Sequence, residues 1–349
     1  MPSPYDPDAT ALRDALAGEP AYRARQVDEG LWRQHRRPGE LTVLPAALRA
    51  RLDEEFPSAL TSIAETTADA GRTTKWVFSL ADGATIETVV MAYRDRVTAC
   101  ISSQAGCAMG CTFCATGQAG FRRHLAAAEL IEQVVAAARH ADPRRLSNVV
   151  FMGMGEPLAN YDATLATIGA LTSRMGLSAR HLTVSTVGVA PAIERLARDA
   201  PTVTLAVSLH AANDELRTSL VPLNRTYPLA RVEAACQVWT QATHRRVSFE
   251  WALIDGVNDR RQDAVELAAI AGRCRAHVNL IALNPTPGYA VAGTPRQRVT
   301  EFRDELEALG VTATVRATRG QEIAAACGQL AEVAGGRRRV SVGRVAPGD

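Results

Sequence analysis

The sequence predicts an α/β protein, an incomplete (β/α)6 barrel carrying a small N-terminal helical domain and a β-hairpin extension. Three observations predict it. From residue 98 onward, apolar strand-like runs alternate six times with Ala- and Leu-rich helical runs. Residues 8–56 carry helical periodicity, and residues 74–92 alternate strictly about an Asp-Gly turn. With 349 residues, 47% of them apolar, the chain is long enough and apolar enough for a barrel with a full core and an accessory unit.

The elements follow in order. Residues 10–17, 23–36 and 45–56 read as three helices, and Val27, Leu31 and Trp32 share one face of the second. The basic side of this unit, residues 1–56, is left free for a partner. Residues 57–97 hold the hairpin: Trp76, Phe78 and Leu80 alternate, Asp82-Gly83 turns the chain, and Ile86, Val89 and Met91 return, with Glu87 among them. The barrel and its catalytic segment occupy 98–333. Its strands are expected at 98–103, 148–152, 181–185, 202–208, 247–253 and 278–282. Helices are expected at about 125–140, 161–175, 190–199, 228–243, 261–275 and 295–309. Residues 334–349, rich in Gly, Arg and Pro, read as a disordered basic tail.

Composition narrows the function. A net charge of +2 does not by itself imply nucleic acid. Cationic side chains are almost all arginine, Lys75 being the one lysine, a bias that a GC-rich genome explains. Arginine clusters at Arg33, Arg36 and Arg37, at Arg122 and Arg123, at Arg245 and Arg246, and at Arg337, Arg338 and Arg339 each read as solvated surface when taken singly. Together they offer bidentate phosphate contacts. No apolar run reaches the roughly 18 residues of a membrane helix, and residues 1–8 lack the pattern of a signal peptide. A cytoplasmic protein without a membrane association is expected. In that reducing compartment the seven cysteines suit ligands and reactive thiols better than permanent disulfides.

The densest chemistry lies in Cys107-Ala108-Met109-Gly110-Cys111-Thr112-Phe113-Cys114. Three thiolates at these spacings can hold three irons of a four-iron cluster and leave the fourth open to a substrate. Structural zinc requires four closed ligands, and His124, ten residues past Cys114, does not complete such a set. Phe113 is placed to shield the cluster. The other candidates follow predicted strands, where barrel chemistry belongs. Gly155 and Glu156, in Gly153-Met154-Gly155-Glu156-Pro157, offer close backbone approach and an acceptor for an ammonium group. Ser185 suits a carboxylate or ribose; Ser208, Leu209, His210 and Asn284 complete a cofactor ring. Cys100 lies in the first strand. Cys327 lies between glycine-bearing stretches with Arg319 nearby, which suits a reactive thiolate. Cys236 and Cys274, inside helices, read as buried small apolar residues.

The cysteine spacing resembles the signature of radical S-adenosylmethionine (radical SAM) enzymes. From about residue 22 to 330 the chain resembles the RlmN-type adenine-C2 RNA methyltransferases of that superfamily. The resemblance rests on Tyr22-Arg23-Ala24-Arg25-Gln26, Glu87-Thr88-Val89, the run from Cys100 through Cys107, the cluster run, Phe151 to Leu158, Ser208-Leu209-His210-Ala211, Gly256-Val257-Asn258-Asp259 and Ala326-Cys327-Gly328-Gln329-Leu330. It implies a [4Fe–4S] cluster on Cys107, Cys111 and Cys114, and two S-adenosylmethionine molecules consumed per turnover. One methylates Cys327. The other yields a 5′-deoxyadenosyl radical that takes hydrogen from that methyl. The carbon radical adds to carbon 2 of adenine, Glu87 removes the ring proton, and Cys100 releases the product by forming a disulfide with Cys327. The implied substrates are 23S ribosomal RNA, at its peptidyl-transferase centre, and some transfer RNAs, at the adenosine 3′ of the anticodon. A flavodoxin- or ferredoxin-type electron donor and a monomeric chain are expected.

The nearest alternative is the Cfr-type reaction on carbon 8 of the same ribosomal adenosine, which shares the cluster and both cysteines. A non-catalytic RNA-binding protein with structural zinc predicts no cleavage of S-adenosylmethionine. A radical enzyme acting on a small molecule or peptide gives no reason for the paired Cys100 and Cys327.

Overall fold

The computed structural model describes residues 2–286, 288–316, 319–326 and 328–330. Cys327 and the expected tail at 334–349 lie outside the described residues.

Helices α1 (Thr10–Ala15), α2 (Ala21–Trp32) and α3 (Ala46–Glu55) form the N-terminal unit. The expected face of α2 is its core: Val27, Leu31 and Trp32 are fully buried, and Tyr5 meets the Trp32 ring edge-on at 5.4 Å. A Cβ on Gly30 would lie 2.2 Å from the Leu41 side chain, so the helix approaches the following turn as closely as only glycine permits.

Strands β1 (Thr61–Ala68), β2 (Thr73–Ser79), β3 (Thr85–Ala92) and β4 (Val97–Cys100) then run antiparallel. The expected hairpin is therefore the centre of a longer ribbon that continues into the barrel sheet. Strand β1 escapes sequence reading because it is an edge: seven of its eight residues are exposed or half-exposed, so no apolar face marks it. The first expected barrel strand also divides. β4 ends at Cys100, and β5 (Gln104–Gly106) pairs instead with β6 (Phe121–His124), closing the loop that contains the short helix α4 (Ala115–Ala119).

The remaining chain alternates as expected: α5 (Ala127–Ala141), β7 (Asn148–Phe151), α6 (Tyr161–Ser173), β8 (Leu182–Thr186), α7 (Ala190–Asp199) and β9 (Thr204–Ser208). After α8 (Asp214–Leu220) come α9 (Leu229–Thr243), β10 (Ser248–Leu253), α10 (Arg261–Cys274), β11 (His277–Ala282), α11 (Arg296–Ala308) and β12 (Ala313–Val315). The ten-stranded sheet runs β1-β2-β3-β4-β7-β8-β9-β10-β11-β12, parallel from β4 onward. β12, a three-residue seventh parallel strand, is an addition to the six expected. The parallel strands bury Leu182, Val184, Leu205, Val207, Val278 and Leu280 completely, as sheet covered on both faces requires.

Helix α5 fastens the N-terminal unit to the barrel. The Glu132 carboxylate accepts from the Ser3 and Ser58 hydroxyls and the Ala59 N–H, while Arg139 pairs with Glu40 at 2.7 Å. The inner side of α5 carries Gln133, whose amide is saturated: it accepts from Thr88 Oγ1 and Ser102 N–H and donates to the carbonyls of Ser102 and Glu129. That amide fixes where β4 ends, and so where the cysteine loop begins. Cys236 and Cys274 are buried in α9 and α10, as their apolar reading predicts.

Candidate functional site

The cysteine loop leaves β5 through Gly106, whose φ is +74° and where a Cβ would lie 2.0 Å from the Gly120 carbonyl oxygen. No other residue closes this hairpin. Cys107 N–H donates to that same oxygen at 2.8 Å, and Cys114 N–H donates to the Cys111 carbonyl at 3.2 Å. The loop ends in α4, whose Ala115 N–H reaches the Gly328 carbonyl. Cys111 and Cys114 then line a cavity of about 160 Å³ at the C-terminal ends of the parallel strands, and Cys107 stands behind them in the same loop.

The three thiols suit a cluster by the chemistry of the donor set. Burial pushes the Cys107 thiol up to about 12 and raises Cys111 still further. Such thiols ionise when a metal takes the sulfur. Among the described residues no group of three or more His, Cys, Asp or Glu side chains is arranged around a single metal ion. A four-iron cluster needs no such convergence, because each thiolate binds its own iron.

Each neighbouring strand end contributes a named group. After β7, a Cβ on Gly153 would lie 2.7 Å from the Ile101 carbonyl group, and one on Gly155, with φ +100°, 2.5 Å from Gln104 Cβ. Both glycines are thus required by the packing of β7's end against β4's. Glu156 is buried, and its carboxylate accepts from Leu158 N–H and Val187 N–H. It ties the ends of β7 and β8 together while lining the cavity. Burial raises its pKa to about 7.

Ser185 and Ser208 line the same cavity. His210, with φ +59°, accepts at Nδ1 from Ala252 N–H at 3.0 Å, so the neutral ring carries its proton on Nε2. Burial holds its pKa at about 3, with the Arg217 charge a smaller cause. Its ring meets Phe113 edge-on at 4.8 Å, which seats Phe113 in the cavity wall above the cysteine loop. Asn284, buried after β11, completes the ring.

Leu209 departs from the expected cofactor ring. Its side chain is buried in the core, away from the cavity wall, and its carbonyl accepts from Ala211 N–H and Arg217 Nε. The reason is the left-handed turn at His210, which takes the chain over the strand end and leaves Leu209 beneath it.

A second cavity, of about 70 Å³, adjoins the first. Cys100, Tyr93, Arg319 and Ala326 line it, and Met152, Ile281, Asn284, Arg316 and Leu330 line both. Ala326 faces this thiol cavity and Gly328 the cofactor cavity, so the neighbours of residue 327 belong one to each. Glu87 lies on neither wall. It sits in β3 on the same face as Cys100, two residues from Val89, the register partner of Cys100. Its carboxylate meets Lys75 Nζ at 3.3 Å, and that ammonium also donates to the Ala324 carbonyl.

Sequence reading missed several groups. Glu250 lines the cofactor cavity and meets Arg316 Nη1 at 3.2 Å; a carboxylate between Phe249 and Trp251 in an apolar strand was a usable signal. Arg316 follows β12, a strand too short to detect. Arg217, fully buried, donates to the Leu209 and Val187 carbonyls and to Asn224 Oδ1. Nothing in the sequence separates it from the other arginines.

Comparison with known proteins follows this geometry. Residues 101–268 match the family model for the radical SAM superfamily. The chain is similar to a probable dual-specificity RNA methyltransferase RlmN of Parafrankia sp. (strain EAN1pec), 54% identical and covering 90% of this chain and 87% of that one. A protein of the same description from Mycobacterium marinum (strain ATCC BAA-535 / M) is 48% identical, covering 95% and 94%. The crystal structure of a radical SAM methyltransferase from Sphaerobacter thermophilus superposes with a TM-score of 0.91, at 49% identity and covering 95% of this chain and 99% of that one.

Proposed function

The chain belongs to the RlmN family of radical SAM RNA methyltransferases, and we propose that it methylates carbon 2 of an adenosine in the peptidyl-transferase centre of 23S ribosomal RNA. The adenosine 3′ of the anticodon in some transfer RNAs is its second substrate in this reading. The observation that carries the proposal is the pair of adjoining cavities, one bearing Cys111 and Cys114 and the other Cys100, with Ala326 and Gly328 divided between them. An S-methylcysteine at Cys327 would serve both.

When bound on Cys107, Cys111 and Cys114, the [4Fe–4S] cluster supplies the electron that cleaves S-adenosylmethionine. The chain's own residues do the rest. Glu156, Ser185, Ser208 and Asn284 hold the cofactor against the strand ends, and His210 presents a neutral N–H donor. Carbon 2 of adenine lies between two ring nitrogens and does not attack a sulfonium as an amine does, so its methyl carbon comes by way of Cys327. Glu87 is the base assigned to the ring proton, and Lys75 Nζ lies 3.3 Å from its carboxyl oxygen. The Cys100 sulfur attacks Cys327 sulfur; the S–S bond forms as the bond from sulfur to the base-bound methylene breaks, and that carbon keeps the electron pair and takes a proton to become the methyl group. Two molecules of S-adenosylmethionine are used, one to methylate Cys327 and one at the cluster. Removing an adenine from its stack exposes the reacting edge, and the N-terminal unit holds the RNA backbone meanwhile. The reading also includes a flavodoxin- or ferredoxin-type donor, a monomer and a cytoplasmic setting. No helix among the described residues is long and apolar enough to cross a membrane.

The test is anaerobic reconstitution with iron and sulfide, then reaction with S-adenosylmethionine, reductant and unmodified 23S rRNA, reading nucleosides by mass spectrometry. 2-Methyladenosine with 5′-deoxyadenosine is expected, and Cys327→Ala should yield no methylated RNA. 8-Methyladenosine would move the site of reaction on the ring. Neither product from an intact, reducible cluster would overturn the proposed substrate.

A further inference from the structure

Tyr93, just past β3, lies in the wall of the thiol cavity and is flanked by two guanidinium groups. Arg96 Cζ lies 4.1 Å and Arg319 Cζ 4.3 Å from its ring centroid. Arg144 joins the same turn, donating to the carbonyls of Tyr93 and Arg96. Two guanidinium groups thus stack on a ring in the wall of the cavity that contains Cys100, and a third bonds the backbone of the same turn.

Carboxylates do not balance them. Among the described residues Arg319 and Arg144 make no ion pair, and Arg96 pairs with Asp95, an exposed contact at 3.3 Å. Asp69, the other acid near this segment, accepts from the Thr73 hydroxyl and Gly320 N–H. Arg319 uses Nη1 on the Ala92 carbonyl at 3.1 Å and has further N–H donors beyond that bond. Like charges gathered on one ring repel each other, and an anion at the rim relieves that repulsion. A guanidinium held flat on an aromatic ring presents its N–H edge in fixed orientation, which suits phosphate oxygens better than a flexible ammonium does.

We propose that Arg319 and Arg96, oriented by the Tyr93 ring, clamp a phosphodiester of the RNA strand beside the reacting adenosine. The inference rests on the RNA reading above and adds to it a place where the strand is gripped. The phosphate is fixed at the rim while its base enters toward Cys100. Single-stranded RNA recognition commonly combines a cationic track with aromatic and guanidinium planes. In this assignment Arg319 serves the RNA, where sequence reading had placed it as a neighbour of the Cys327 thiol.

The experiment measures binding of a stem-loop RNA with one loop adenosine, by fluorescence anisotropy over a range of KCl, using the full-length reconstituted protein. Arg319→Gln and Arg96→Gln are each expected to weaken binding about tenfold and to reduce the slope of log K against log salt by about 0.7. Tyr93→Leu should weaken binding with a smaller change in slope, because the charges remain. Wild-type affinity and slope in both arginine variants would overturn the clamp, even if turnover fell in Arg319→Gln through loss of its bond to Ala92. Arg96 is exposed, so its variant keeps the test should Arg319→Gln misfold. Failure of the unaltered protein to bind the RNA would instead overturn the RNA reading beneath it.

Discussion

The two walls of the site are built differently. On the cofactor side, buried polar groups are fastened to backbone, most of them more than once. Glu156 accepts two N–H groups, Arg217 reaches two carbonyls and an amide, Thr186 Oγ1 accepts from Gly188 and Val189, and His210 is fixed by Ala252. On the thiol side, the segment from Arg319 to Leu330 is held by scattered polar ties. They run from Arg319 to Ala92, Lys75 to Ala324, Ala115 to Gly328, Gln329 to Pro285 and Thr116 to Leu330. Its buried apolar residues, among those described, are Ala326 and Leu330. A wall of the first kind keeps one geometry for a cofactor. One of the second kind is held by bonds worth about 1 kcal/mol each, so its geometry is less firmly fixed.

Removing the strongest brace tests the contrast most severely. Arg217→Met leaves the Leu209 and Val187 carbonyls and the Asn224 amide oxygen without their buried donor. A loss of about 3–5 kcal/mol is expected in urea unfolding, with cleavage of S-adenosylmethionine falling alongside. A loss under about 1 kcal/mol would mean that the strand ends are held by something other than this arginine.

The pH dependence of stability comes next in size. His210, held at about 3 against an ordinary 6.5, stabilises the fold above pH 6.5, and that contribution is lost as pH falls toward 3. The slope is about 1.4 kcal/mol per pH unit, because the unfolded chain binds a proton that the folded one refuses. Glu156, raised from 4.5 to about 7, acts in the opposite sense: its contribution is full below 4.5 and is lost as pH rises to about 7. Between 4.5 and 6.5 the two slopes cancel. Glu156→Gln should unmask the His210 slope, so that the variant gains roughly 1 kcal/mol between about pH 5 and about pH 6. Equal stability of the variant at both values would show that His210 takes up its proton alike in the folded and unfolded chain.

The smallest effect belongs to the tie between Thr116, on the cofactor cavity, and Leu330, which lines both cavities. Thr116→Val removes the 2.5 Å hydrogen bond to the Leu330 carbonyl. It should cost about 1 kcal/mol and leave cluster absorbance intact, while lowering RNA methylation more than cleavage of S-adenosylmethionine. Equal losses in both activities would place this tie with the cofactor wall.

The barrel was legible because each strand and helix carries its own period. Leu182 and Val184 in β8, and Val207 in β9, announce buried strands, and β8 is followed by the Ala-bearing helix α7. The cysteine loop was legible because its spacing is local. Strand β1 was not, being polar on an exposed edge, and β5 was not, because its partner β6 is defined only by the closure at Gly106. Glu156 was found as a site residue, but its service as a brace between two strand ends depends on Val187, which is distant in sequence. The burial of the Leu209 side chain beneath the turn at His210 was not legible, because nothing local announces that turn.

The sequence by itself determined the alternation of strands and helices, the three-cysteine loop and the glycines at strand ends, since each depends on residues within a few positions of one another. Only the tertiary structure decided that Cys111 and Cys100 open onto adjoining cavities, that the one lysine of the chain meets Glu87, and that Arg319 reaches Tyr93. Those meetings join side chains far apart in sequence. Strand order and register bring them together, and local periodicity carries no record of either.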